Sequence, residues 1–222
     1  MLSSVALVPL RSLTFMILLV SFIVVSTMVG LRTTDPLDNH MLNALTSSRT
    51  YILDMIMVVV TTTADIFPVY FSPMLVISFI LLIRRKSRRL GAILIITILV
   101  ATLVTLQVKN IVHKDRPNYE FNIEGFNYKL EYDALSKASS SYPSAHAARS
   151  SAFALMISYM LKGKRIGRFN VGFILWLYPL LISLSRVYVG EHYPTDVIGG
   201  TILGLIVANF IGRIFKLHEL ID

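Results

Sequence analysis

The chain contains no cysteine, which excludes disulfides and thiolate-bound metal and leaves the redox compartment unread. Charge is almost as scarce. Charged residues make up 15% of the 222 positions against 55% hydrophobic, and the mean hydropathy is +0.67. A soluble domain of this length needs more charge to cover its surface, so the composition points to a single membrane-embedded domain over residues 1–222. Acidic residues are the scarcer sign, 13 against 21 basic, for a net charge of +8. Basic chains often bind nucleic acid. Here the cations sit in short clusters between apolar runs, where bilayer topology places them, so no nucleic-acid partner is expected.

What is abundant is apolar sequence in runs near the roughly 20 residues that cross a hydrocarbon core. Six such spans are predicted: Leu13 to Leu31, Phe67 to Ile83, Leu90 to Ile111, Ala145 to Leu161, Val171 to Val189, and Thr195 to Phe215. The fourth opens on a polar turn, Ala145 to Ser151. The segment from Asp38 to Thr63 has an apolar stretch too short to cross alone and is read as an interfacial or re-entrant helix. The fold class expected is therefore all-α: a membrane bundle of six transmembrane helices plus that additional helix. A signal peptide is the alternative for the first span, but the run is long and lacks a small-residue cleavage site. Arg84 to Arg89, Lys162 to Arg165 with Arg168, and Arg213 with Lys216 are the basic clusters, and Asp35, Asp38, Asp54 and Asp65 outnumber the cations of the first intervening loop. The positive-inside rule then places both termini in the cytoplasm and the loops from Arg32, Lys109 and Arg186 outside.

Three polar groups fall on that outer side, where ionisable residues at span ends are costly unless used. The first runs from Lys109 to Pro117. Lys109 and Arg116 are seven positions apart, about two helical turns, which would set them on one helix face; alone, they read equally as cations snorkelling to headgroups. In the second, Tyr142-Pro143-Ser144-Ala145-His146, proline suits the first helical position, so Ser144, Ala145 and His146 fall in a first turn whose free N–H groups suit an anion. A plain cap with a buried histidine is the alternative. In the third, Ser185 to Asp196, His192 and Asp196 stand four apart, close enough for a carboxylate to orient an imidazole. His146, His192 and Asp196 could also ligate a metal, but Lys109, Arg116 and Arg186 around them suit an anion instead. His40, His113 and His218 are read as structural, Lys114 and Asp115 as solvated spacers, and Tyr188, Glu191 and Tyr193 as the pocket mouth. Residues 112–143 form an outward loop, its Asn118 to Ser141 part either a lid or a connection.

Together these groups resemble the type 2 phosphatidic acid phosphatase family. Its signature is lysine, six residues, Arg-Pro (Lys109, Arg116, Pro117); Pro-Ser-any-His (Pro143, Ser144, His146); and Ser-Arg, five residues, His, three residues, Asp (Ser185, Arg186, His192, Asp196). One departure is Ala145, where the family most often has glycine. The resemblance implies that His192 attacks phosphorus and forms a phosphohistidine while Asp196 orients it. It implies that His146 protonates the leaving group, and that Lys109, Arg116, Arg186, Ser144 and the Ala145 N–H hold the phosphoryl oxygens. No metal and no cofactor are implied. The substrate class implied is a membrane lipid phosphate, and an outward site favours an isoprenyl diphosphate over phosphatidate or phosphatidylglycerophosphate. A non-catalytic binder or transporter of such a lipid, or a membrane protein with no site, are the readings from other classes. The oligomeric state is open: Gly199, Gly200 and Gly204 could pack spans within one chain or between two.

Overall fold

The computed structural model describes residues 7–47, 49–66, 72–118 and 140–220. The expected lid or connection lies mostly outside these residues, as does the start of the second predicted span. Helix α1 (Leu13–Gly30) is capped by Ser12, whose Oγ accepts from the Phe15 N–H at 3.2 Å. It buries only Phe15 and Val29. The expected single helix over Asp38 to Thr63 is instead two: α2 (Asp35–Thr46) and α3 (Tyr51–Thr62). The break falls where Thr50 takes extended backbone and caps α3 through its hydroxyl, satisfying the Leu53 N–H. Arg49 then clasps the Asp54 carboxylate with Nε at 3.0 Å and Nη2 at 2.9 Å.

Helices α4 (Pro73–Ile83) and α5 (Arg88–Lys109) form a tight antiparallel pair. Helix α6 (Ala145–Met160) is the centre of the bundle: every residue from His146 to Tyr159 is buried. A short hairpin follows, β1 (Arg165–Ile166) paired antiparallel with β2 (Phe169–Asn170), the only strands among the described residues. The fifth predicted span is divided into α7 (Val171–Leu175) and α8 (Leu177–Tyr188). Pro179, in the first turn of α8, has no N–H to continue the ladder across the junction. Helix α9 (Pro194–Ile214) and a 3₁₀ turn (Leu217–Leu220) complete the described residues.

Among the described residues, the helices long and apolar enough to cross a membrane are α1, α5, α7 with α8, and α9. Helix α4 is apolar but shorter, and α6 is 16 residues long. Small residues allow α9 to lie against α6: a Cβ added at Gly200 would collide with the Ser144 carbonyl, and one at Gly204 with the Ala148 carbonyl. The glycine-rich face thus packs within the chain. Helices α5, α6 and α9 each carry a motif residue at one end (Lys109, His146, Asp196) and lead to cations at the other (Arg88 and Arg89, Lys162 and Lys164, Arg213 and Lys216).

Candidate active site

The three motif segments are joined by direct hydrogen bonds. Lys109, the last residue of α5 and 4% exposed, donates Nζ to the Ser140 carbonyl at 2.6 Å. The non-helical stretch beyond it is strapped to the segment before α6, since the Ser141 N–H bonds the Lys114 carbonyl at 2.7 Å and the Lys114 N–H bonds Ser140 Oγ at 2.9 Å. The Ser144 N–H bonds the Asp196 carbonyl at 2.9 Å, tying the second motif to the third. Lys109 and Arg116 do not share a helix face. Helix α5 stops at Lys109, the chain from 113 to 118 has no helical structure, and the strap to Ser140 and Ser141 brings Arg116 round instead.

Ser144 is the N-cap of α6, in extended backbone, so Pro143 sits one residue before the cap instead of at the first helical position. The residues that open the helix are Ala145 and His146. Ala145 is helical and outside the positive-φ region, which among the described non-glycine residues holds only Arg32 and Lys216. An alanine there is therefore unstrained and keeps its N–H. His146 Nε2 lies 2.6 Å from Asp65 Oδ1.

Arg186, 1% exposed, lies in the last turn of α8 with Nη1 donating to Thr61 Oγ1 of α3 at 3.0 Å. Helix α3 is held there by Asp54, which accepts from Tyr188 Oη at 2.6 Å. Gly190, at φ 73°, turns the chain back so that the His192 N–H reaches the Arg186 carbonyl at 3.2 Å. His192 precedes α9 and is 2% exposed. Asp196 reaches back over the first turn of α9, accepting the Tyr193 N–H at 2.8 Å on Oδ2, and the same oxygen lies 3.4 Å from His192 Nδ1. That helical turn is what lets a spacing of four bring carboxylate and ring together. Burial, then the charges of Arg116, Arg186 and Lys109, hold the His192 imidazole well below the ordinary histidine value. The neutral form of the ring is thereby favoured, with Asp196 on its Nδ1 side.

Several residues near these groups escaped the sequence reading. Lys114, expected as a solvated spacer, is buried, whereas its neighbour Asp115 is exposed as expected. Lys114 Nζ meets Asp38 Oδ2 at 2.7 Å and Asp196 Oδ1 at 3.1 Å. Arg149, one turn beyond His146, is buried and donates to the Ala64 carbonyl at 3.0 Å. A charge inside an apolar helix is costly, and that signal was available for Arg149. Glu191 does more than border the mouth: Oε2 is 2.5 Å from Arg116 Nη1 and 3.7 Å from Arg186 Nη2, between the two guanidinium groups. Nothing local distinguishes Asp38 or Asp65, whose partners are remote in sequence.

Such an arrangement suits a phosphoryl group. Three cations and a helix N-terminus can neutralise its oxygens, and a neutral imidazole backed by a carboxylate stands beside them. A curated undecaprenyl-diphosphatase of Sulfolobus acidocaldarius is 32% identical over 134 residues, 58% of this chain and 56% of its own. Undecaprenyl-diphosphatase BcrC of Bacillus subtilis is 37% identical over 78 residues, 35% of each chain. The chain therefore spans about half or less of the curated relatives it matches. The crystal structure of a transmembrane PAP2 type phosphatidylglycerolphosphate phosphatase from Bacillus subtilis superposes with a TM-score of 0.67 at 18% identity, covering 90% of this chain and 94% of that one. The family model described as PAP2 superfamily matches residues 71–218, which hold all three motifs, and the chain belongs to that superfamily.

Proposed function

We propose that this chain is one integral-membrane domain that removes phosphate from a membrane lipid phosphate, an isoprenyl diphosphate in preference to other lipids. The observation that carries the proposal is the joining of His192 and Asp196, His146, and the cations Lys109, Arg116 and Arg186 at one end of the bundle. In this reading His192 Nε2 attacks phosphorus in line, and the bond to the leaving oxygen breaks as the phosphohistidine forms. Asp196 orients the ring and offsets its positive charge. His146 gives its proton to the departing oxygen, and water then releases phosphate from His192 with His146 taking a proton back. Asp65 Oδ1, 2.6 Å from His146 Nε2, is placed to orient that ring. Lys109, Arg116, Arg186, Ser144 and the Ala145 N–H hold the phosphoryl oxygens, which is most of what phosphoryl transfer needs. In this reading Lys109, Arg116 and Arg186 supply the positive charge that a metal would otherwise bring.

Six spans, counting α4 with the residues before it and α6, cytoplasmic termini and an outward site complete the proposal. The cations opposite the site on α5, α6 and α9 support that orientation. An outward site meets a spent lipid carrier where a glycan is transferred, and the curated relatives named undecaprenyl-diphosphatase support the isoprenyl class. The test is phosphate release by purified protein in EDTA, with an isoprenyl diphosphate and a phosphatidate compared for wild type and His192→Ala. Release by wild type alone, faster on the isoprenyl substrate, is expected. Release by both proteins removes His192 as nucleophile, and release by neither, with vanadate still bound, leaves a lipid-phosphate binder. The pH profile adds a second check. The nucleophile must be neutral, and its lowered affinity for a proton keeps it so to lower pH. The acid limb of kcat/KM is therefore expected below about pH 6.5; a limb above that value would contradict a histidine surrounded by cations.

A further inference from the structure

Beyond the signature residues, a second buried cluster touches Asp196 from behind. Lys114 Nζ directs its three donors to Asp38 Oδ2 at 2.7 Å, Thr195 Oγ1 at 2.9 Å and Asp196 Oδ1 at 3.1 Å. Asp38, on α2 and 0% exposed, accepts from Thr195 Oγ1 at 2.6 Å and from the Thr195 N–H at 3.0 Å. The ammonium also lies 4.4 Å from the Tyr193 ring centre. Water reaches little of this: the side chains of Lys114 and Asp196 are 7% and 0% exposed.

We propose that Lys114 and Asp38 are positioning residues of this site, which with Thr195 hold the Asp196 carboxylate against His192 and leave its negative charge for the ring. The inference rests on His192 being the nucleophile. Asp196 has two oxygens. One faces His192 and the Tyr193 N–H, and the other is fixed by Lys114, so the carboxylate cannot rotate without losing a buried ion pair. Lys114 alone would also cancel the charge that Asp196 offers to the ring. Asp38 restores it: two carboxylates and one ammonium leave one negative charge in the cluster, matched when His192 becomes cationic on phosphorylation. Other groups facing His192 are the cations Lys109, Arg116 and Arg186. Glu191 precedes it and lies against the two arginines, and His146 is a further titratable neighbour.

The cluster therefore acts on turnover and on the proton affinity of His192, not on phosphate binding. In full-length protein in detergent, Asp38→Asn should lower kcat on an isoprenyl diphosphate roughly 10- to 100-fold, the range for losing a partner that orients a reacting group. KM and inhibition by inorganic phosphate should stay within about twofold, and the acid limb of kcat/KM should move to lower pH because the ring has lost a net negative neighbour. The double variant Asp38→Asn with Lys114→Met again has one negative charge. It should regain part of the lost kcat and move the limb back. Unchanged kcat and limb in Asp38→Asn, or a double variant worse than the single, overturns the proposal and leaves the cluster a structural ion pair. Where Asp38→Asn fails to fold by thermal unfolding, Lys114→Arg and Lys114→Met are compared: Arg should keep the larger kcat, and equal losses at equal stability overturn the proposal. His192→Ala separates the two layers, since its full activity would remove the nucleophile assignment, whereas an inactive His192→Ala beside a normal Asp38→Asn removes only this inference.

Discussion

Helices α1 and α6 invert the usual relation between hydrophobicity and burial. Helix α1 is a run of Leu, Ile, Val, Phe and Met, yet Leu13, Ile17, Val20 and Ile23 are all more than half exposed. Helix α6 is buried from His146 to Tyr159 and contains Arg149, Ser150, Ser151 and Ser158. In water this pairing would be unstable. In a bilayer it follows directly: lipid tails solvate α1, so its apolar residues need no protein partner, while the protein interior is the place where polar groups find hydrogen bonds. Ser150 and Ser151 donate to carbonyls one turn back, and Arg149 reaches the Ala64 carbonyl. Hydropathy in this chain reports what faces lipid, and small or polar residues report what faces the site.

The sharpest way to break that comparison is to enlarge a small residue beside α6. Gly200→Val sets a side chain against the Ser144 carbonyl, which is backbone and cannot swing away. Overpacking of this kind costs about 1–3 kcal/mol or more. Because Ser144 caps the helix that carries His146, the displacement also reaches the site. Activity should fall at least 100-fold, on the order expected for misplacing reacting groups by about 1 Å, with a lowered unfolding temperature. Near-normal turnover in Gly200→Val would mean that α9 and α6 do not pack face to face.

A second prediction exchanges one buried cation for another. Arg186→Lys preserves charge and removes the planar fork that serves Thr61 on one side and approaches Glu191 on the other. Loss of directed donors should lower kcat/KM about 10- to 100-fold, less than removal of a whole oxyanion donor, with little change in unfolding temperature. A near-wild-type lysine variant would mean that Arg186 is a structural cation and not a phosphate ligand.

Much of the fold and the three motifs could be read from the sequence because their signals are local. Apolar run length marks α1, α5 and α9, and Pro143 to His146 and His192 to Asp196 are only three and four positions apart in sequence. Boundaries were less legible. The break at Trp176 depends on Pro179, which the apolar count over Val171 to Val189 passes over, and α2 and α3 are separated by a capping hydroxyl at Thr50. The residues behind the site were not legible at all. Lys114 looks like a spacer because its partners, Asp38 and Asp196, are 76 and 82 positions away, and Asp65 meets His146 across 81. A charge in a loop is ordinary until folding encloses it, and no periodicity in the sequence records that event.

The smallest predicted effect sharpens the comparison from the other side. Ile23 is 62% exposed on α1, so Ile23→Ala removes carbons that in the membrane touch lipid tails. Lipid refills the space, no cavity forms in the protein, and the change should stay within about 0.5 kcal/mol, the ordinary range for surface sites. Ile98→Ala on α5 is the matched control, because Ile98 is 1% exposed and its removal should cost about 2–5 kcal/mol. Unfolding temperatures of both variants in one detergent decide the matter. If Ile23→Ala loses as much as Ile98→Ala, the outer face of α1 is covered by protein and not by lipid, which places a second copy of the chain or another membrane protein against it; if it loses nothing, α1 is the lipid-facing wall of the bundle.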